Sequence, residues 1–338
     1  MDAVNPDLAR VARRILSTCI QIKRDHRVCV VADRKTLPFG LIFAEAAEPL
    51  AGDVVLTVMA VRRTHGEEPP AAVAAAMETA DVVIQPVTYA LTHTDASRRA
   101  LAKGAAILVL RGITEDLMLG GAMDADYGEI QRTTAALADR LTGAATAHVT
   151  SPAGTDVRMG LAGRQGFVLA GRVPGPGRFA GIPDGEAPIA PVEGTTEGTI
   201  VVEYSMDDLG MLDGPIRLTV EGGRITAVGG GRSAGRLRRL LDESDEHATN
   251  IAEFAIGTNP RARLIGNLAE DKKLRGSVHF AMGDNMSLGG RVRSNIHLDA
   301  MVLRPTVTLD GEAVVRDGAL TIADAAPHGG AGPREAKR

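Results

Sequence analysis

The sequence contains no tryptophan, only 3% aromatic residues and two cysteines among its 338 residues. Without aromatic rings it lacks the stacking platforms by which single-stranded nucleic acids are held. Cys19 and Cys29 both sit in apolar-patterned segments. They are too few for a zinc finger and read as small buried hydrophobes in a reducing compartment. No apolar run approaches the roughly 18 residues of a membrane span, and Met1-Asp2-Ala3 does not open a signal peptide. An excess of one charge is missing too: the formal net charge is −4, with basic residues scattered among acidic ones and forming no stripe for nucleic acid. These absences leave a cytoplasmic enzyme of a small molecule or short peptide, with neither nucleic acid nor membrane as partner.

What is present suits two domains. Up to about Gly143, short Val/Ile-rich runs alternate with amphipathic stretches; Arg27 to Ala32, Asp53 to Ala60, Asp81 to Val87 and Ala105 to Leu110 read as strands. Continuous apolar runs of this length are what strands covered on both faces look like, so residues 1–145 are expected to form an α/β domain with a largely parallel sheet. The turn after the first strand, Asp33-Arg34-Lys35-Thr36, lacks the closely spaced glycines of a dinucleotide site. Residues 146–325 read as a β-rich, metal-binding catalytic domain, with strands at Thr199 to Tyr204, Ile216 to Val220 and Arg224 to Val228 and a helix from Ser233 to about Leu241. The Pro/Gly-rich passage Val173 to Pro191 is expected to be irregular, and residues 326–338, including His328, to be a disordered tail.

The chemistry concentrates between Asn250 and Pro305. His297-Leu298-Asp299 lies in a run, Asn295 to Leu303, that patterns as a strand, so imidazole and carboxylate project to one face. His279 lies in a second short strand, Ser277 to Met282, and Glu253 in the apolar run Ile251 to Ile256. A carboxylate inside an apolar run is costly to bury unless paired or metal-bound. Taken singly, Glu253 also fits a solvent-facing position and His279 a satisfied core histidine; together with His297 and Asp299 they make a metal site the better account. His247 and His93 are weaker candidates, the first in an acidic turn and the second in a Thr-His-Thr loop, while Asp284 and Asn285 are read either as groups orienting His279 or as turn residues only. A structural metal site is disfavoured, because neither cysteine lies near these residues.

Over these same segments, NIAEFAIGTNP from Asn250, GSVHFAMGDN from Gly276 and SNIHLD from Ser294, the chain resembles the aminopeptidase T family of metallopeptidases and its relatives the 2,5-dihydroxypyridine 5,6-dioxygenases; Thr92 to Thr94, SPAGTD from Ser151 and EGTIVV from Glu197 extend the likeness. The resemblance implies that Glu253, His279, His297 and Asp299 ligate metal. It also implies a further glutamate where this chain has Lys272, and a catalytic tyrosine absent from Gly283 to Ser287; strand periodicity puts Glu270, two residues before Lys272, on the same face as a substitute for that glutamate. In the dioxygenase the position of Glu253 is a histidine. Because Glu253 and His279 follow the peptidase pattern, the favoured expectation is an aminopeptidase-like hydrolase of an amide or peptide bond. A Zn, Mn or Co ion would activate water, Glu270 would take its proton, and Lys272 would hold a substrate carboxylate. The alternative is a mononuclear Fe(II) ring-cleavage dioxygenase of a hydroxylated aromatic. Relatives also imply a homo-oligomer.

Overall fold

The computed structural model describes residues 5–64, 66–92 and 94–322, so the tail from 326 and His93 lie outside the described residues. Its N-terminal half is built on a five-stranded sheet in which every pairing is parallel: Asp53–Met59, Arg27–Asp33, Val82–Val87, Ala106–Arg111 and Phe179–Gly181 lie side by side in that order. The expected two-faced burial is visible residue by residue. Val28, Val30, Val82, Ile84 and Leu108 feed one apolar core, while the alternating Cys29, Val31, Val83, Ile107 and Val109 feed another on the opposite face. Cys19 and Cys29 are buried free thiols whose pKa values are pushed up by burial, to about 12 and about 11, which suits inert core residues.

The second half forms two antiparallel sheets of six and eight strands. Phe254, Ile256, Val278, Phe280, Met282, Leu298 and Val302 of the smaller sheet share one core with Val149, Val157, Ile200, Ile216, Leu218 and Val307 of the larger. The two sheets therefore pack face to face, and the other face of the smaller one carries buried polar side chains, Glu253, His279 and Asp299 among them. The passage Val173 to Pro191 departs from expectation: it contains the strands Phe179–Gly181, which completes the parallel sheet, and Glu186–Ile189, which edges the six-stranded sheet. Pro188 is tolerated at this sheet edge, where the outward carbonyl oxygen accepts from Phe167 N–H and position 188 has no ladder hydrogen bond to donate. No helix among the described residues is long and apolar enough to cross a membrane.

Candidate metal centre

The register of the six-stranded sheet puts Glu253 opposite Ala281, Ala281 opposite Asp299, Gly283 opposite His297 and Ala255 opposite His279. Directly opposed residues share a face, so Glu253, His279, His297 and Asp299 project to one side of three adjacent strands, with Phe254, Phe280 and Leu298 on the other. Ala255, Ala281 and Gly283, standing between the polar residues, leave the space into which they converge. The edge strand adds Glu186, paired with Gly257, to the same face. Among the described residues two groups have ligand atoms within 4.8 Å of one another: Glu253, His297 and Asp299, and Glu186, Glu253 and His279.

In the first group each side chain has one atom tied by the protein and another left facing inward. His297 Nδ1 lies 2.7 Å from the Asp284 carbonyl oxygen, an acceptor only, so Nδ1 carries the proton and Nε2 points into the group. Asp284 thus orients His297 through its backbone, not His279. Lys272 Nζ donates to Asp299 Oδ2 at 2.5 Å, and Asp299 Oδ1, buried without a hydrogen bond, lies 3.4 Å from His297 Nε2. Glu253 Oε1 lies 3.3 Å from His279 Nε2, and its Oε2 lies 3.1 Å from His297 Nε2. Burial opposes ionisation of Glu253, but the hydrogen bonds from His279 and His297 outweigh it and bring its pKa down to about 2. Burial likewise opposes ionisation of Asp299, and Lys272 with His297 hold it well below the usual carboxylate range. Both carboxylates are therefore anionic at neutral pH. An orphaned buried oxygen, a second oxygen facing inward and an imidazole nitrogen of fixed tautomer make a set of hard and borderline donors suited to a divalent first-row ion.

Three further expectations meet a different structure. Glu270 is in the short helix Leu268–Asp271, not on a strand; it is fully buried and its Oε1 accepts from the backbone of Ala122 and Arg263 and from Arg263 Nε, outside both ligand groups. The carboxylate that joins the site instead is Glu186, missed because its strand is four residues long and hidden in a Pro/Gly-rich passage. Lys272 lies inside the site as a counter-ion between Asp299 and Glu186, 3.7 Å from the latter, so its ammonium is already engaged by the protein's own carboxylates. His247 is outside both groups, bonded to Arg224. A cavity of about 770 Å³ lined by Lys23, His26, Asp81 and Arg172 sits at the N-terminal ends of the parallel strands, away from these residues.

Residues 7–322 match the family of 2,5-dihydroxypyridine 5,6-dioxygenases (NicX). The chain belongs to that family. The 2,5-dihydroxypyridine 5,6-dioxygenase of Pseudomonas putida (strain KT2440) is 29% identical over 261 residues, which span 72% of this chain and 71% of that protein. The solved structure of 2,5-dihydroxypyridine dioxygenase from P. putida KT2440 superimposes with a TM-score of 0.78 at 23% identity, covering 94% of this chain and 97% of that one. Wild-type AmpT from Thermus thermophilus shares the fold at a TM-score of 0.65 and 18% identity, covering 95% and 100%. The kinship read from the C-terminal motifs holds, and so does the mixed architecture, but the hydrolase expectation is overturned: the family and the curated relative are dioxygenases, and the peptidase is a likeness of fold. The physical counterpart is Glu270, whose Oε1 is taken by Arg263 and Ala122 and which lies outside both ligand groups. A divalent metal ion, Fe(II) in a dioxygenase, is consistent with the family and with the ligand groups.

Proposed function

We propose that the protein is an Fe(II)-dependent ring-cleaving dioxygenase acting on 2,5-dihydroxypyridine or a closely related dihydroxylated N-heteroaromatic, with the ion held by Glu253, His297 and Asp299. The observation that carries the site is the convergence of Glu253 Oε2, Asp299 Oδ1 and His297 Nε2, which face one another while each companion atom is fastened by His279, Lys272 or the Asp284 carbonyl. Family membership supports the reaction class. The resemblance places a histidine in the relatives where this chain has Glu253, so the proposed set is one imidazole and two carboxylates in place of two imidazoles and one carboxylate. All three remain ligand types for Fe(II).

When bound, Fe(II) supplies the means of joining dioxygen to an electron-rich ring so that both oxygen atoms enter the cleaved carbon–carbon bond. The chain's own residues hold and tune that centre. His279 and Lys272 pin the two carboxylates so that each presents one oxygen. The Asp284 carbonyl keeps the imidazole proton on Nδ1. The His297 side chain is one-third exposed (33%), so the centre opens to solvent on its side, where a small substrate can enter. Assembly as a homo-oligomer in a reducing, cytoplasmic setting belongs to the same reading; free buried thiols accord with the latter.

The test is oxygen uptake by the Fe(II)-loaded protein with 2,5-dihydroxypyridine, alongside loss of the ring's ultraviolet absorption. The reading expects one O2 consumed per ring cleaved, and no uptake by His297→Ala. An iron-loaded protein that leaves dihydroxylated pyridines intact would refute it.

A further inference from the structure

The Asp284 carbonyl that keeps the His297 proton on Nδ1 belongs to an arch, residues 284–296, whose one stretch of helix is the 3-10 turn Met286–Leu288. An irregular segment of that length gains conformational entropy by moving, so something must aim the carbonyl. We infer that Glu193, paired with Arg164, does so: it is a positioning residue for His297 that acts through Asn285 and Arg291. The inference rests on the reading of His297 as a metal ligand.

The link is one peptide unit. The Asp284 carbonyl and the Asn285 N–H belong to the same planar group and point in opposite directions, so turning one turns the other. The carbonyl oxygen lies 2.7 Å from His297 Nδ1, and the N–H donates to the Val292 carbonyl at 3.0 Å. The His297 tautomer therefore depends on where Val292 stands. Val292 is fastened by the Asn285 side chain, whose Oδ1 accepts from its N–H at 2.8 Å. It is also fastened through its neighbour Arg291, whose N–H donates to Glu193 Oε1 at 2.9 Å. The same Glu193 oxygen accepts from Asn285 Nδ2 at 3.0 Å, so one carboxylate ties both sides of the arch.

The surrounding residues are shaped for that contact. Asn285 is fully buried, and a Cβ at Gly290 would stand 2.0 Å from its Cγ, so the glycine makes room for the amide that reaches Glu193. Glu193 is itself held in a turn. The Val192 N–H donates to the Gly160 carbonyl at 2.8 Å, and the Thr195 hydroxyl accepts from the Gly160 N–H at 3.0 Å. Gly160 ends the strand Asp156–Gly160 of the eight-stranded sheet, which makes the anchor rigid. The second Glu193 oxygen is ion-paired with Arg164, and Arg164 Nη1 donates to the Gly289 carbonyl at 2.9 Å. With side chains 12% and 24% exposed, this pair is less screened than a surface salt bridge. It grips the arch at Asn285, Gly289 and Arg291 and so couples the larger sheet to the metal-facing surface of the smaller one.

The experiment measures Fe(II) affinity by chelator competition under nitrogen in the wild type, Glu193→Ala, Asn285→Ala and the double variant. Asp310→Ala is the control: Asp310 accepts from Ala145 and Thr146 in the eight-stranded sheet, so its loss costs stability without touching the arch. Each arch variant should bind Fe(II) about 10- to 100-fold more weakly, the usual effect of disturbing a ligand's support. The double variant should lose far less than the product of the two, because both act through one peptide unit. Asp310→Ala should bind as the wild type does. Proton NMR of the zinc-loaded, ¹⁵N-histidine-labelled protein reads the tautomer: the His297 Nδ1–H signal should be protected from solvent exchange in the wild type and Asp310→Ala, and lost to exchange in Glu193→Ala. If Glu193→Ala does not fold, Arg164→Met is put through the same comparisons. Unchanged affinity with a protected signal in Glu193→Ala, fully multiplicative losses in the double variant, or an equal loss in Asp310→Ala overturns the inference. A wild type in which zinc leaves the His297 resonances unmoved overturns the ligand assignment beneath it and this inference with it, a distinct result.

Discussion

Replacing Gly283 by alanine tests whether the strand bearing His297 is held where the proposed centre requires it. Gly283 lies opposite His297 across the ladder, at φ +106°, and a methyl group there would overlap the Ile296 carbonyl oxygen. Two penalties add: roughly 1–2 kcal/mol for an L-residue at positive φ and about 1–3 kcal/mol for overpacking against backbone. Gly289, at φ +76° with nothing near its would-be Cβ, isolates the first penalty. Gly283→Ala should therefore lose about 2–5 kcal/mol against about 1–2 for Gly289→Ala by chemical denaturation. Because the overlap pushes on the residue next to His297, Gly283→Ala should also weaken Fe(II) binding about 10- to 100-fold, the usual effect of disturbing a ligand's support. Chelator competition reads the affinity. Equal stability losses in the two variants, with unchanged Fe(II) affinity in both, would refute the reasoning.

Other consequences are as concrete. Phe280 is buried and stacks on Phe254 at a centroid separation of 5.6 Å beneath the metal-facing surface; Phe280→Ala should cost about 3–5 kcal/mol in urea unfolding, and a loss under 1 kcal/mol would contradict the packing. Glu270→Gln should lower stability by about 1–3 kcal/mol through its bonds to Arg263 and Ala122 yet leave metal content and oxygen uptake intact; a collapse of metal content would return Glu270 to the site. For His297, burial disfavours the charged ring, but the carboxylates of Asp299 and Glu253, 3.4 and 3.1 Å from Nε2, outweigh it and hold the pKa well above the ordinary histidine value. The metal-free imidazole is then protonated at neutral pH and the ion must displace that proton, so binding should tighten as pH rises and release about one proton per ion at pH 7. Calorimetry in buffers of different ionisation enthalpy measures this, and zero release would contradict it.

How much of this was legible in the sequence depends on the range of the interactions involved. The parallel sheet was readable because burial on both faces leaves continuous apolar runs such as Val82 to Val87, a local signal. Glu253, His297 and Asp299 were readable because a charged or imidazole side chain inside an apolar strand is costly without a purpose. Glu186 was not, since its strand contains Pro188 and takes its meaning only from pairing with Gly257, seventy-one positions later. Lys272 and Glu270 were misjudged for a related reason. A four-residue helix carries no periodicity, and which carboxylate each charge meets is decided by chain segments far away in sequence. The ligand types are shared by hydrolase and dioxygenase, so the residues did not separate the two, and the likeness of Glu253 and His279 to the peptidase pattern favoured the wrong one.

The most direct test of the central claim is a crystal structure of the Fe(II)-loaded protein, grown without oxygen, with anomalous data collected on both sides of the iron absorption edge. The account predicts one iron peak per chain within bonding distance of Glu253 Oε2, His297 Nε2 and Asp299 Oδ1, with Lys272 still on Asp299 Oδ2. A peak centred instead on Glu186 and His279, or iron found only away from this sheet face, would contradict it.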